Sequence, residues 1–189
     1  MQRTQNIQSR LHTCASRRLI GAGVLMIAGA AFSFNAAAES VNSKDKSFMT
    51  NAAEAGHAEI EASKIALEKS SNQAVKDYAQ KMIDQHTTVD EQLKQLASSK
   101  DVTLPAEPSM AQRAKIAILE KLKGNTFDKR YASIIGVSAH EDAVKLFQKS
   151  SKEAQDPDVK TFAAKTLPGL QEHLQMGRDL KKTVDAAKK

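Results

Sequence analysis

Apolar residues recur at alternating spacings of four and three along one stretch of this chain, a pattern that few folds accommodate. The spacing is that of one helix face packed against other helices. One polar residue, His86, occupies a buried position of the pattern. Its members are Val75, Ala79, Met82, His86, Val89, Leu93 and Leu96. No long stretch alternates polar and apolar residues, so the chain is predicted to be helical almost throughout.

Helix-capping residues divide the chain into four long helices and one short helix. Asn72 can cap the second helix, Ser109 and Gln112 fit a capping box for the short one, and Asp156 before Pro157 starts the last. Short connections favour antiparallel packing of neighbours. We therefore expect an all-α, antiparallel four-helix bundle with one short extra helix between its two hairpins. The predicted helices span roughly 45–70, 73–99, 110–123, 126–154 and 157–187.

The buried faces of the other long helices are predicted from the same spacing. The third long helix has two stripes, rotated with respect to each other. The first contains Phe127, Tyr131 and Ile134, and the second contains Val137, His140, Val144 and Phe147. The seam of the first helix is Met49, Ala53, Gly56, Ile60, Ser63 and Leu67. The seam of the last is Val159, Ala163, Thr166, Leu170, His173, Gly177, Leu180 and Val184.

Four histidines, His57, His86, His140 and His173, fall one each near the middle of the four long helices. Midpoints of neighbouring antiparallel helices lie at similar heights, so these imidazoles are predicted to form a layer. His86, His140 and His173 point inward, whereas His57 lies beside its seam.

One hypothesis for this layer is a mononuclear metal site formed by His86, His140 and His173. Neutral imidazoles suit copper or zinc. His57 is a further candidate ligand, and Met82 and Met176 share helix faces with His86 and His173. A ferritin-type di-iron centre needs two Glu-x-x-His motifs and further glutamates. The sequence offers one such motif, Glu54 to His57, and Glu54, Glu61, Glu68 and Asp84 are expected to be solvated.

The alternative hypothesis is a non-catalytic envelope module in which the histidines only pack and form hydrogen bonds. Their expected partners would then be Ser63, Thr166, Tyr78 or water, with the methionines filling gaps. A bundle that responds to pH through these histidines is a third hypothesis. No nucleophile elbow or phosphate loop is present in the sequence, so we expect a binding protein rather than an enzyme.

Residues 1–38 have the pattern of a cleaved signal peptide. Four arginines precede an apolar stretch from Leu19 to Phe34, and Ala36 to Ala38 supply small residues for cleavage. Cleavage would leave one domain, 39–189, in the periplasm or secreted. It would also remove Cys14, the single cysteine.

The mature chain would carry 24 basic and 22 acidic residues. This balance argues against nucleic acid as a partner. No second long apolar run follows the leader, so we expect no transmembrane segment in the mature chain. Lysines near the C-terminus could contact anionic lipid or envelope polymers: Lys181, Lys182, Lys188 and Lys189.

Several motifs resemble those of an exported bacterial family of unknown function, often labelled "putative outer membrane protein" and grouped with ferritin-like bundles. The matching segments are 81–86, 102–105, 126–128 and 166–170, with His173-Leu174 after the last. The resemblance covers roughly Lys46 to Leu180 and implies export and a ferritin-like four-helix bundle, with no established activity. Members usually carry Asp-His in the third long helix, where this chain has Ala139-His140. A carboxylate beside His140 would then have to come from elsewhere, such as Glu141 or Asp142.

Overall fold

The computed structural model describes residues 41–187, and these residues are mostly helical with no strand among them. No helix in this range is both long and apolar enough to cross a membrane. The predicted leader, 1–38, and the last two lysines lie outside the described range. The helices are α1 (Ser43–Lys69), α2 (Gln73–Ser99), α3 (Met110–Lys121), α4 (Gly124–Tyr131), a π-helical segment (Ala132–Ala139), α5 (His140–Glu153) and α6 (Pro157–Ala186).

The three predicted capping residues or pairs form capping hydrogen bonds at the starts of α2, α3 and α6. The Asn72 side chain accepts from the Ala74 N–H at 3.0 Å. Ser109 and Gln112 form both halves of a capping box. Asp156 accepts from the first turn of α6. Each cap satisfies N–H groups that have no partner within the helix, so these residues fix where the helices begin.

Two hairpins, α1 with α2 and α5 with α6, make the most extensive helix contacts, and α2 and the π-helical segment also pack on α6. Asp45 joins the two hairpins. Its buried carboxylate accepts from the backbone N–H groups of Gln155 and Asp156, at 3.0 and 2.8 Å. The start of α1 is thereby tied to the turn between α5 and α6.

The apolar core consists of two clusters with a polar layer between them. One, the tyrosine cluster, includes Val75, Tyr78, Met82, Phe127, Tyr131, Ile135 and Leu180. The other, the phenylalanine cluster, includes Phe48, Met49, Leu93, Ala143, Phe147, Phe162 and Leu170. On α2, Met82 and Leu93 belong to different clusters, and His86 lies between them. Leu170 and Leu180 flank His173 on α6 in the same way.

The π-helical segment accounts for the two rotated stripes of the third long helix. A π-helix places more residues in each turn than an α-helix, so it shifts the buried face for everything that follows. Phe127 and Tyr131 precede the segment and lie in the tyrosine cluster. His140 and Phe147 follow it and are buried on the shifted face. A single predicted helix over 126–154 was therefore wrong in its interior, although its position along the chain was close.

Gly136 in the π-helical segment and Gly177 in α6 meet backbone to backbone. A Cβ atom on Gly177 would lie 1.8 Å from the Gly136 carbonyl oxygen. This contact allows no side chain on Gly177. It brings the backbone preceding His140 close to the helix that carries His173.

We expect Gly177→Ala to lower the free energy of unfolding by about 2–4 kcal/mol, because the added methyl must push two backbones apart. Gly169→Ala on the same helix is the matched control, since a Cβ there meets nothing within 4 Å. That control should raise the free energy of unfolding by about 0.5–1 kcal/mol through helix propensity. Urea denaturation measures both, and equal effects would contradict the close contact.

Candidate metal centre

Three buried histidines from different helices meet between the two apolar clusters. His86 comes from α2, His140 from the first residue of α5, and His173 from α6. Each side chain offers a nitrogen that lies within 4.8 Å of the others'. Their ring centroids are 5.0 to 5.5 Å apart. The sequence prediction that these three histidines point inward is confirmed by their burial.

His86 and His140 direct the same ring nitrogen, Nε2, toward each other across 3.4 Å. Nδ1 of His140 donates to the Ile135 carbonyl at 2.8 Å. Nδ1 of His86 lies 3.1 Å from Oε2 of Glu59 and donates to it when that carboxyl is ionised. A neutral imidazole carries one N–H, so these partners leave lone pairs on both facing Nε2 atoms. Two lone pairs that face each other in the core can bind a cation or a proton between them.

His173 is oriented by a residue of α2. Its Nε2 lies within hydrogen-bonding distance of the Gln85 side-chain oxygen, so Nε2 carries the proton. Its Nδ1 is buried and has no hydrogen-bond partner among the described residues. A buried acceptor without a partner costs free energy. Nδ1 is therefore the His173 atom that is available to a ligand.

Glu59 of α1 supplies the carboxylate of the layer. Its side chain is 2 % exposed. Oε2 lies against His86 Nδ1. Oε1 lies 3.7 Å from His140 Nδ1, and this oxygen has no hydrogen-bond partner among residues 41–187. A buried carboxylate is expensive unless it is paired. Glu59 thus orients His86 and leaves one oxygen incompletely satisfied.

Burial sets the protonation of this layer. It lowers the pKa of His86 well below its usual range, and the neighbouring His140 and His173 lower it further. Burial also lowers the pKa of His173 to about 4, with smaller contributions from His140 and Lys81. The pKa of the Glu59 carboxyl is raised by burial, against the opposing effect of His140. His86 and His173 are therefore neutral near pH 7, which is the form that binds a metal.

A family model described as "Domain of unknown function (DUF4142)" matches residues 31–180. The chain belongs to this family. No curated protein and no solved structure matches the chain. Membership thus agrees with the family of unknown function expected from the sequence motifs, and any activity must be argued from the site of this DUF4142 domain.

The other sequence candidates lie elsewhere. His57 is half-buried, with its Nε2 3.8 Å from an oxygen of Asp90. Met82 packs in the tyrosine cluster, and the Met176 sulfur lies 3.3 Å from the Lys81 ammonium. The structure does not place His57 in the cluster of three histidines. Roles for both methionines as auxiliary ligands stay predictions.

The three residues predicted to bond to the histidine rings, Ser63, Thr166 and Tyr78, do not do so. Ser63 bonds to the Tyr131 hydroxyl at 2.8 Å, and Thr166 donates to the Phe162 carbonyl. Tyr78 reaches the backbone oxygen of His173, at 3.4 Å, rather than its ring. The partners that do hold the rings are Glu59, Gln85 and the Ile135 carbonyl.

Glu59 was the residue that the sequence analysis missed. The carboxylate beside His140 was expected from Glu141 or Asp142, but Glu141 bonds to Arg178 at 2.9 Å on the surface. Burial at Ala52, Glu59 and Ala66, spaced by seven, marks Glu59 as a seam position. The seam predicted from the sequence contained Ile60, the residue after Glu59, because isoleucine is apolar.

We expect the metal-free protein to lose stability when the pH falls from about 7 to 5. Unfolded histidines take up protons near pH 6.5, whereas folded His173 stays neutral until about pH 4. The lowered pKa of His86 acts in the same direction. Glu59 opposes this effect, because its raised pKa lets the folded state bind a proton first. Both histidines therefore destabilise the folded state as the pH falls, and Glu59 makes that loss smaller.

Urea denaturation at several pH values measures this slope. Glu59→Gln should make it steeper, since the opposing carboxyl is gone, and His173→Gln should make it shallower. A flat profile in the wild type would contradict the proton balance described for the layer.

Proposed function

We propose that this protein binds one transition-metal ion, copper or zinc, at the layer formed by His86, His140 and His173. The observation that carries the proposal is the convergence of three buried ring nitrogens within 4.8 Å of one another. Packing alone does not favour burying three imidazoles at one point, since polar groups cost more free energy to bury than apolar ones.

The distance between His86 and His140 supports a tetrahedral ion. Metal–nitrogen bonds of about 2.0–2.1 Å at a tetrahedral angle place two ligand nitrogens about 3.3–3.4 Å apart. The two Nε2 atoms are 3.4 Å apart. The third nitrogen, from His173, lies within 4.8 Å of the other two and would have to approach by up to about 1.4 Å, through a side-chain adjustment. A fourth position would remain for water or another ligand.

The groups behind the ligands also favour this proposal. Metal-bound histidines usually donate their second N–H to a carboxylate or a carbonyl, which fixes the ring and its tautomer. His86 has Glu59, His140 has the Ile135 carbonyl, and His173 has Gln85. A cation held by these rings would also offset the charge of buried Glu59.

We further propose the finer assignments of fold and place. The packing of two hairpins agrees with an antiparallel four-helix bundle of ferritin-like topology, with α3 as the extra helix. The leader pattern over 1–38 supports export to the periplasm or beyond, and a metal-binding bundle there would serve envelope stress protection. Met82 and Met176 would favour copper if they took part, and three neutral imidazoles suit either ion.

One observation favours the alternative, a structural or interaction module without metal. Each imidazole already has a hydrogen-bond partner for one of its two nitrogens, as a packing role requires. The lysine contacts give this alternative less support, because Lys181 and Lys182 each lie against an aspartate of α6, Asp185 and Asp179. Contact with lipid or envelope polymers would have to compete with these pairs.

We expect untagged protein to bind about one equivalent of copper or zinc in calorimetric titration. His86→Ala and His173→Ala should abolish stoichiometric binding and leave helicity intact. His57→Ala is the matched control and should bind like the wild type, because His57 lies outside the cluster. If the wild type binds no tighter than millimolar and the same variants only lose about 1–3 kcal/mol of stability, the packing module is the better account.

Glu59→Gln should weaken metal binding by about 10–100-fold, because Glu59 orients His86 and raises its basicity. Glu61→Gln, on the exposed face of the same helix, controls for the loss of one negative charge. Competition with a chelator measures both affinities. Equal metal affinities for Glu59→Gln and Glu61→Gln would show that Glu59 does not support the metal site.

A further inference from the structure

Helix α3 carries an apolar stripe on its outward face. Among the residues that the structure describes, the two large apolar side chains that remain exposed both belong to this helix, Met110 at 79 % and Ile118 at 54 %. Three exposed alanines complete the stripe, Ala111, Ala114 and Ala117. Apolar side chains that are grouped on one exposed face mark an interaction surface, whereas scattered ones do not.

The stripe is distinct from the face that holds α3 on the bundle. At about 100° per residue, its five side chains span an arc of about 120° that is centred on Ala114. Ile116 and Leu119 lie on the opposite side of the helix, and both are buried in the tyrosine cluster. Helix α3 is therefore apolar on two faces, and within residues 41–187 only the inward face is covered.

The order of residues in the stripe is the same from either end. Counted outward from Ala114, an alanine stands three residues away and a large apolar residue four residues away in both directions. A two-fold axis at Ala114 would therefore place Met110 of each copy beside Ile118 of the other. An isologous interface between two copies requires this kind of self-complementary surface. The small side chain at the centre also lets the two helices approach closely.

The charges at the two ends of α3 favour the same antiparallel pairing. Glu107 precedes the helix and Lys121 is its last residue, and both are exposed. The two positions are equally far from Ala114 along the chain. An antiparallel pair would thus bring each Lys121 toward Glu107 of the other copy, where Glu107 also pairs with Arg113 of its own chain. A parallel pair would bring like charges together at both ends, which is unfavourable.

We propose that α3 pairs two copies of this chain, through an antiparallel contact of the stripe about a two-fold axis at Ala114. One short helix against another forms a small interface, below about 1,200 Å² in total, so the dimer should be weak and depend on protein concentration. The stripe faces away from the bundle, so the contact requires neither the histidines nor a metal. Its test is therefore separate from that of the metal proposal.

Sedimentation velocity of the purified protein between about 10 μM and 1 mM tests the proposal. The sedimentation coefficient should rise with concentration, from that of a monomer toward that of a dimer. Ile118→Glu should weaken the dimer by at least about tenfold, because it brings an unpaired charge into the interface. Gln171→Glu, which adds the same charge at an exposed position of α6, is the matched control and should dimerise like the wild type.

Ala114→Cys tests the partner and the register. Mild oxidation should link this variant into a covalent dimer, because the two-fold axis brings the two cysteines within disulfide distance. The single natural cysteine, Cys14, lies in the predicted leader. Glu120→Cys, exposed on the same helix and outside the stripe, is the control and should not cross-link at the same concentration.

Three outcomes would each overturn the proposal. The first is a wild type that stays monomeric at about 1 mM, which would leave the stripe to a different partner. The second is a dimer that Ile118→Glu leaves intact, and the third is equal cross-linking of Ala114→Cys and Glu120→Cys.

Discussion

The contact between the buried carboxylate of Glu59 and the imidazole of His86 is the constraint on which the centre of this molecule depends. A carboxylate that is 2 % exposed must find donors inside the protein. His86 supplies one at 3.1 Å, and this hydrogen bond turns the opposite nitrogen of the ring toward His140. The same pair links α1 to α2 at the level where the two apolar clusters separate. This one polar contact therefore sets the register of the hairpin and the direction of His86 Nε2.

The π-helical segment is the second device that positions this layer. Irregular turns of this kind are frequent at functional sites. Here the segment moves His140 onto the buried face, and its Ile135 carbonyl then holds the His140 ring by accepting from Nδ1. The backbone contact of Gly136 with Gly177 keeps α6, and with it His173, close to the same segment. A regular helix over these residues would have continued the stripe of Phe127 and Tyr131 and left His140 elsewhere.

The proposed metal site follows from the incomplete satisfaction of Glu59 and the histidines around it. An apolar layer at this height would join the two clusters into one core at lower cost, since buried polar groups must recover their lost hydration. The facing nitrogens of His86 and His140 favour a cation between them, and Oε1 of Glu59 is buried without a hydrogen-bond partner among the described residues. Natural proteins commonly keep such costly groups where a function requires them.

The helices, their caps at Asn72, Ser109 and Asp156, and the burial of three histidines could be predicted from the sequence, because spacing and capping are local properties. The role of Glu59 could not, because a glutamate on a seam resembles any solvated glutamate until its neighbours are known. The predicted partners of the rings failed for the same reason. The sequence by itself thus determined an all-helical chain with a histidine level. Only the tertiary structure decided what those histidines face, because the π-helical turn and the approach of α6 set orientations that no local pattern encodes.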